Sequence, residues 1–191
     1  NGEPTGKDGN GFISKVAPDG KVQVLEWASG LDAPKGLARA GDKLYVSDID
    51  KLVEIEIASG KVLNRFEAKD AKFLNDVAAD PDGNVYVSDM ATNTIWRLSG
   101  GTFDVFLKDD KLEAPNGLLV EGDTLLVGAW GVMTDGFATK VPGHLKKVSL
   151  KDKTITSHGD GSPIGNLDDL APRAREVLGH EPVQGRAGDA E

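Results

Sequence analysis

Lys35, Asn75, Asn116 and Asp168 stand at successive spacings of 40, 41 and 52 residues, and the last three carry side-chain oxygen donors. Brought together, two amide carbonyls and a carboxylate make a set of hard ligands. Such a set suits Ca²⁺ or Mg²⁺; Zn²⁺ or Mn²⁺ fits less well because no His or Cys accompanies it. A divalent ion held there would polarise a carbonyl and lower the pKa of a bound water. Lys35 cannot ligate a metal while protonated. Its ammonium would hold an anionic substrate group or stand solvated at a rim. The competing reading is conformational, since Asn-Gly and Asn-Asp are turn formers that cap strands without binding anything.

A repeat must position these residues. Leu31-Asp-Ala-Pro-Lys-Gly-Leu37 followed by Lys43-Leu-Tyr-Val-Ser-Asp48 aligns with Ala71-Lys-Phe-Leu-Asn-Asp-Val77 followed by Asn84-Val-Tyr-Val-Ser-Asp89. Both align with Leu112-Glu-Ala-Pro-Asn-Gly-Leu118 followed by Thr124-Leu-Leu-Val-Gly-Ala129. Two landmarks, Lys35/Asn75/Asn116 and Asp48/Asp89/Ala129, keep the same period of 40 or 41 residues. In the second repeat, strands are expected at 76–79, 84–88, 94–98 and 103–107, with turns at Pro81-Asp82-Gly83, 90–93 and Ser99-Gly100-Gly101. β-Branched and aromatic residues fill the strands. Four strands per roughly 40 residues without a helix is the signature of a propeller blade. The fold class is therefore all-β: a β-propeller of four-stranded antiparallel blades, about four of them present.

The boundaries follow. Residues 1–11 read as a Gly-rich leader and 12–170 as a partial propeller. Residues 12–16 and 21–26, joined at Pro18-Asp19-Gly20, supply the outer half of an earlier blade. Residues 144–150 and 154–158 supply the outer strands of the third full repeat, and Ile164-Gly-Asn-Leu-Asp168 opens another. Residues 131–143 explain the long last spacing as an insertion. Residues 171–191 break the pattern: they hold three Arg and no Lys, against three Arg and sixteen Lys in 1–170. A disordered or out-of-register tail is expected, with at most a helical turn at 175–178, and a shifted reading frame would account for it. In a propeller, the start of each first strand and the end of each second strand share one face. Lys35, Asn75, Asn116 and Asp168 thus form a partial ring at a channel mouth. Asp48, Asp89 and Trp130 lie just outside it, with the insertion beside them as a lid.

Composition narrows the function. The net charge of −9 argues against phosphate-backbone binding, which needs clustered Lys and Arg, and repels anionic membranes. No apolar run reaches spanning length. With no cysteine, disulfides, thiolate metal sites and a Cys nucleophile are excluded. The sequence starts at Asn1 without Met or a signal-type segment, so a removed leader or an internal piece is expected.

Pro115-Asn116-Gly117-Leu118, Leu74-Asn75-Asp76 and Asn166-Leu167-Asp168 resemble the SMP-30/gluconolactonase/LRE-like family over roughly residues 1–170. The resemblance implies a six-bladed propeller with one divalent cation on its axis, and a hydrolase of sugar lactones or related esters. It implies Asn116 and Asp168 as metal ligands, Asp168 also as general base, and Asn75 facing substrate or water. The family's further ligand is a Glu from a first blade that has no counterpart here, and Glu3 in the leader is not assigned that role. Exported bacterial members favour a periplasmic or extracellular setting over a cytoplasmic one. With blades lacking, open strand edges favour self-association, and a fragment of this kind is expected to be inactive alone.

Other candidates divide between chemistry and packing. Trp130, Phe137, Met133 and Lys140 could touch substrate from the lid side, or belong to an inert loop. Trp27 and Trp96 read as packing between blades. His144, His158 and His180 neither repeat nor keep ligand spacing and read as surface residues. Ser47-Asp48 and Ser88-Asp89 recur without a His partner, so hairpin capping explains them better than a Ser-His-Asp triad. The second functional reading is a non-catalytic binding propeller resembling NHL-type interaction modules, because this fold hosts many functions.

Overall fold

Alternating apolar and polar residues between Gly- and Asp-rich turns fold into fourteen strands in the computed structural model, which describes residues 3–171. Strands β1 (Gly11–Val16) and β2 (Val22–Leu31) form a two-stranded hairpin. A first full blade holds β3 (Pro34–Ala40), β4 (Lys43–Asp48), β5 (Lys51–Glu56) and β6 (Val62–Glu67) in sequential order. A second holds β7 (Leu74–Ala79), β8 (Val85–Asp89), β9 (Thr94–Ser99) and β10 (Thr102–Lys108). A third holds β11 (Pro115–Glu121), β12 (Thr124–Ala129), β13 (Leu145–Ser149) and β14 (Ile155–Ser157). Each neighbouring pair is antiparallel, as short hairpin connections require. A 3₁₀ turn, Asp110–Leu112, precedes β11. The expected all-β propeller architecture is thus present, and the four strands of the second repeat fall where the turn signals place them. No helix among the described residues is long and apolar enough to cross a membrane.

The core lies between blades. Leu31, Val46, Val53 and Ile55 pack at the hairpin's boundary with the first blade. Tyr45, Leu52, Leu74, Val87 and Trp96 fill the next boundary, and Tyr86, Ile95, Phe106, Leu118 and Val127 the one after. Trp96 is packed as expected, and Tyr86 meets Phe106 edge-on with ring centroids 5.4 Å apart.

Polar groups fix how the blades meet at the mouth. The recurrent serine accepts a hydrogen bond from its own first strand and donates to the first strand of the next blade. Ser88 Oγ takes the Asp76 amide at 2.9 Å and donates to the Asn116 carbonyl at 2.7 Å. Ser47 Oγ takes the Gly36 amide at 3.0 Å and donates to the Asn75 carbonyl. The recurrent aspartates cap the loop entering each first strand. Asp48 accepts from the amides of Asp32 and Ala33, and Asp89 from those of Lys72 and Phe73. Gly36 is needed for close approach: a Cβ there would lie 2.6 Å from the Asn75 carbonyl oxygen.

Residues 164–170 form no strand, only a bridge between Gly143 and Gly165, so the expected opening of a further blade is made without strand pairing among the described residues. The chain nevertheless keeps the repeat's packing, since Gly117 abuts Asp168 and Asp169 as Gly36 abuts Asn75 and Asp76. Residues 172–191, which include most of the tail, the expected turn at 175–178 and His180, lie outside the described residues.

Candidate functional site

First-strand entries of successive blades converge on a groove of about 490 Å³ lined by Lys35, Gly36, Leu37, Asn75, Asp76, Asp168 and Asp169. Asn116 lies behind it, 2% exposed, its Nδ2 donating to Asp168 Oδ1 at 3.0 Å. The fold thus brings Lys35, Asn75, Asn116 and Asp168 to one mouth, as their register in the repeat requires. Asn116 Oδ1 is buried without a hydrogen-bond partner. A buried amide carbonyl left unpaired is costly, and a cation is one of the partners that would satisfy it. Asp168 is exposed to solvent.

The donor set fits a hard cation in part. Asn116 and Asp168 adjoin, one supplying an orphaned carbonyl oxygen and the other a solvent-facing carboxylate. The present amide orientation turns Nδ2 rather than Oδ1 toward Asp168, so joint ligation requires a rotation of the Asn116 side chain. No group of three or more His, Cys, Asp or Glu residues among the described residues could hold an ion by itself.

The residues expected on the lid side come together through the insertion. Phe137 stacks edge-on against Phe73 at 5.5 Å between centroids, and Lys35 Nζ lies 4.6 Å from the Phe73 ring centre. Trp130 Nε1 donates to the Phe137 carbonyl at 2.9 Å, and Asn166 Nδ2 holds the Trp130 carbonyl. Residues 131–143 are thus folded back beside the mouth, with Phe137 half exposed. Lys35 is not freely solvated: its ammonium donates to the carbonyls of Pro4 and Ala33. Burial lowers its pKa below the ordinary lysine value, with Asp48 opposing. Asn75 Nδ2 reaches Met90 Sδ at 3.9 Å. Met133 bridges Thr139 within the insertion and is not among the residues lining the groove.

Two features are not evident from the sequence. Asp76 stands where the first and third blades carry Gly36 and Gly117. Burial raises its carboxyl to about 6; bonds from the Leu118 and Val77 amides oppose that rise, and the Asp169 and Asp168 charges add to it. Its only signal is the departure from glycine at that position of the repeat. His144 is not a free surface residue: its Nδ1 lies 2.6 Å from Glu113 Oε2, while Lys146 Nζ donates to Glu113 Oε1 at 2.8 Å. Burial pushes Glu113 up, but Lys146 and His144 outweigh it and hold the carboxyl below its ordinary value. Glu113 occupies the repeat position of Asp32, which likewise faces a lysine at the start of a third strand, Lys51 at 3.9 Å, but the insertion before His144 hides that correspondence in the sequence. His158 is exposed as expected.

No protein-family model and no curated protein matches the chain. Among solved structures it is similar to a streptogramin B lyase at 18% identity and a TM-score of 0.55, over 71% of this chain and 43% of that one. It is similar to a chain of a nidogen/laminin complex at 15% identity and a TM-score of 0.57, over 82% and 62%. Virginiamycin B lyase from Staphylococcus aureus matches at 18% identity and a TM-score of 0.51, over 70% and 42%. The chain spans about two fifths of the length of either lyase. At these identities the likeness establishes the propeller fold, which here serves both enzymes and a binding protein.

Proposed function

We propose that the mouth belongs to a divalent-cation-dependent hydrolase of sugar lactones or related esters, similar to the SMP-30/gluconolactonase/LRE-like family. The observation that carries the reading is the buried, unpartnered Asn116 Oδ1 beside the solvent-facing Asp168 carboxylate. Asn116 and Asp168 would hold the ion, with Ca²⁺ preferred for an all-oxygen set. When bound, the ion supplies Lewis-acid polarisation of the ester carbonyl and acidifies water. Asp168 takes the proton of the attacking water as general base. Asn75 orients the substrate by its side-chain amide. Lys35 attracts the carboxylate released on ring opening, and Trp130 and Phe137 wall the lid side. Replacing Asn116 or Asp168 with Ala is expected to lower lactone hydrolysis by the complete protein about 100-fold, as loss of a water-activating ion would. Full turnover by either variant, or turnover indifferent to chelator, sinks the reading.

One observation favours a second reading. The Asn116 amide already pairs with Asp168 without an ion, so the mouth could serve as a polar recognition surface on a non-catalytic propeller. Calorimetric titration with Ca²⁺ separates the two, since only the hydrolase reading requires binding.

A further inference from the structure

We infer that Asp76 is a positioning residue that sets the Asn116 side chain by clamping strand β11 across the blade boundary. This rests on the proposed cation-binding role of Asn116. The Asp76 carboxylate makes two bonds of different kinds. Oδ1 accepts from its own neighbour Val77 at 2.8 Å, a local turn bond. Oδ2 reaches into the third blade and accepts the Leu118 amide at 2.7 Å. The local bond recurs at the equivalent Asp169, whose Oδ1 accepts from Leu170 at 2.8 Å. Among the described residues the cross-blade bond is made only by Asp76. It separates a function of Asp76 from ordinary turn chemistry.

The consequence falls on Asn116. Ser88 of the second blade holds the Asn116 carbonyl at 2.7 Å, and Asp76 of the same blade holds the Leu118 amide. The peptide units around Asn116 and Gly117 are therefore pinned on both sides from one neighbour. The side chain so fixed is the one whose Oδ1 is buried without a partner. The flanking boundaries lack this device. There Gly36 and Gly117 let the next blade's backbone approach closely, a Cβ at Gly117 falling 2.5 Å from the Asp168 carbonyl oxygen. The repeat thus accepts glycine at this position, and the Asp76 carboxylate faces the strand that presents Asn116. Outer-shell groups of this kind commonly govern metal affinity about 10–100-fold.

The test compares Asp76→Gly, which removes clamp and charge, with Asp76→Asn, which keeps one acceptor oxygen for Leu118 and gives up the charge and the local Val77 bond. Calcium chloride is titrated calorimetrically into the full chain. The Asn116 side-chain amide is followed by NMR without added cation. We expect Asp76→Gly to bind Ca²⁺ at least about 10-fold more weakly than Asp76→Asn. We also expect the Asn116 amide signals to shift toward those of a mobile side chain in the Gly variant and to stay in place in the Asn variant. Equal losses in both variants would assign the effect to charge and overturn the inference, as would unchanged Asn116 signals in Asp76→Gly. A Gly variant unable to fold, at a position where two other boundaries carry Gly, would leave Asp76 a purely structural role and overturn it too. If the unmodified protein binds no Ca²⁺, the proposed cation function fails by itself and the NMR comparison still decides the clamp.

Discussion

At the scale of single residues, the mouth keeps a carboxylate where solvent is scarce, and pH exposes the cost. Asp76 has its carboxyl raised from 3.8 to about 6, chiefly by burial and further by Asp169 and Asp168. Its folded form therefore binds a proton more tightly than its unfolded form. The sign follows from linkage: between about pH 4 and 6 the folded state holds more protons, so stability falls as pH rises through that window. A rise of that size corresponds to about 3 kcal/mol, and partial solvent screening reduces this to on the order of 1–2 kcal/mol. Asp76→Asn should accordingly be more stable than the parent by about that amount at neutral pH, and no more stable below the unfolded pKa. Urea unfolding in chelator-treated buffer at both pH values measures it. A neutral-pH gain that persists unchanged in acid would mean that titration of Asp76 is not its source.

At the scale of elements, the blades are joined by serines that serve two strands at once. Ser88 is fully buried, and its loss leaves the Asp76 amide and the Asn116 carbonyl without their partner. Ser88→Ala should cost about 2 kcal/mol in chemical denaturation, whereas Ala at exposed Ser162 should change little. The Glu113–Lys146 pair ties the loop before β11 to β13. Lys146 is 7% exposed, so Glu113→Ala strands a buried ammonium and should cost about 3 kcal/mol. Because the Glu113 carboxyl is held below its ordinary value of 4.5, this contribution is complete above that value and fades as pH falls through the lowered one. An Ala variant that matches the parent at neutral pH would show that Lys146 finds another partner. The Ser-Asp recurrence and the four strands per repeat were legible in the sequence because each blade solves the same packing problem with a two-residue alternation and a turn. The convergence of Lys35, Asn75, Asn116 and Asp168 was legible for the same reason. The Glu113–His144–Lys146 cluster and the Phe73–Phe137 contact were not. The Phe73–Phe137 contact joins a repeat to the insertion, and the insertion before His144 carries β13 out of the sequence period, so the sequence alone does not relate residues across that junction.

At the scale of the molecule, the hydrophobic core is divided among blade boundaries, so each blade depends on its neighbours for burial, as in other repeat architectures. The boundary flanking β1 is the exception that sets solution behaviour. Among the described residues β1 pairs only with β2, whereas each full blade holds four strands. The hairpin also exposes Val16, Val22, Val24 and Leu25 at 54%, 57%, 45% and 58%. An unpaired strand beside an apolar face is a template for another chain, because backbone pairing and burial are gained together. A net charge of −9 opposes association over long range, but at physiological salt that repulsion is screened beyond about 8 Å and contact forces decide. Sedimentation velocity should therefore show reversible association that grows across the micromolar range and strengthens with added salt. Val22→Lys combined with Val24→Lys should hold the chain monomeric at the same concentrations, since charge on an edge hairpin is what natural sheets use against pairing. Association that survives both substitutions would place the contact elsewhere on the molecule. Association that weakens with salt would make it electrostatic rather than apolar.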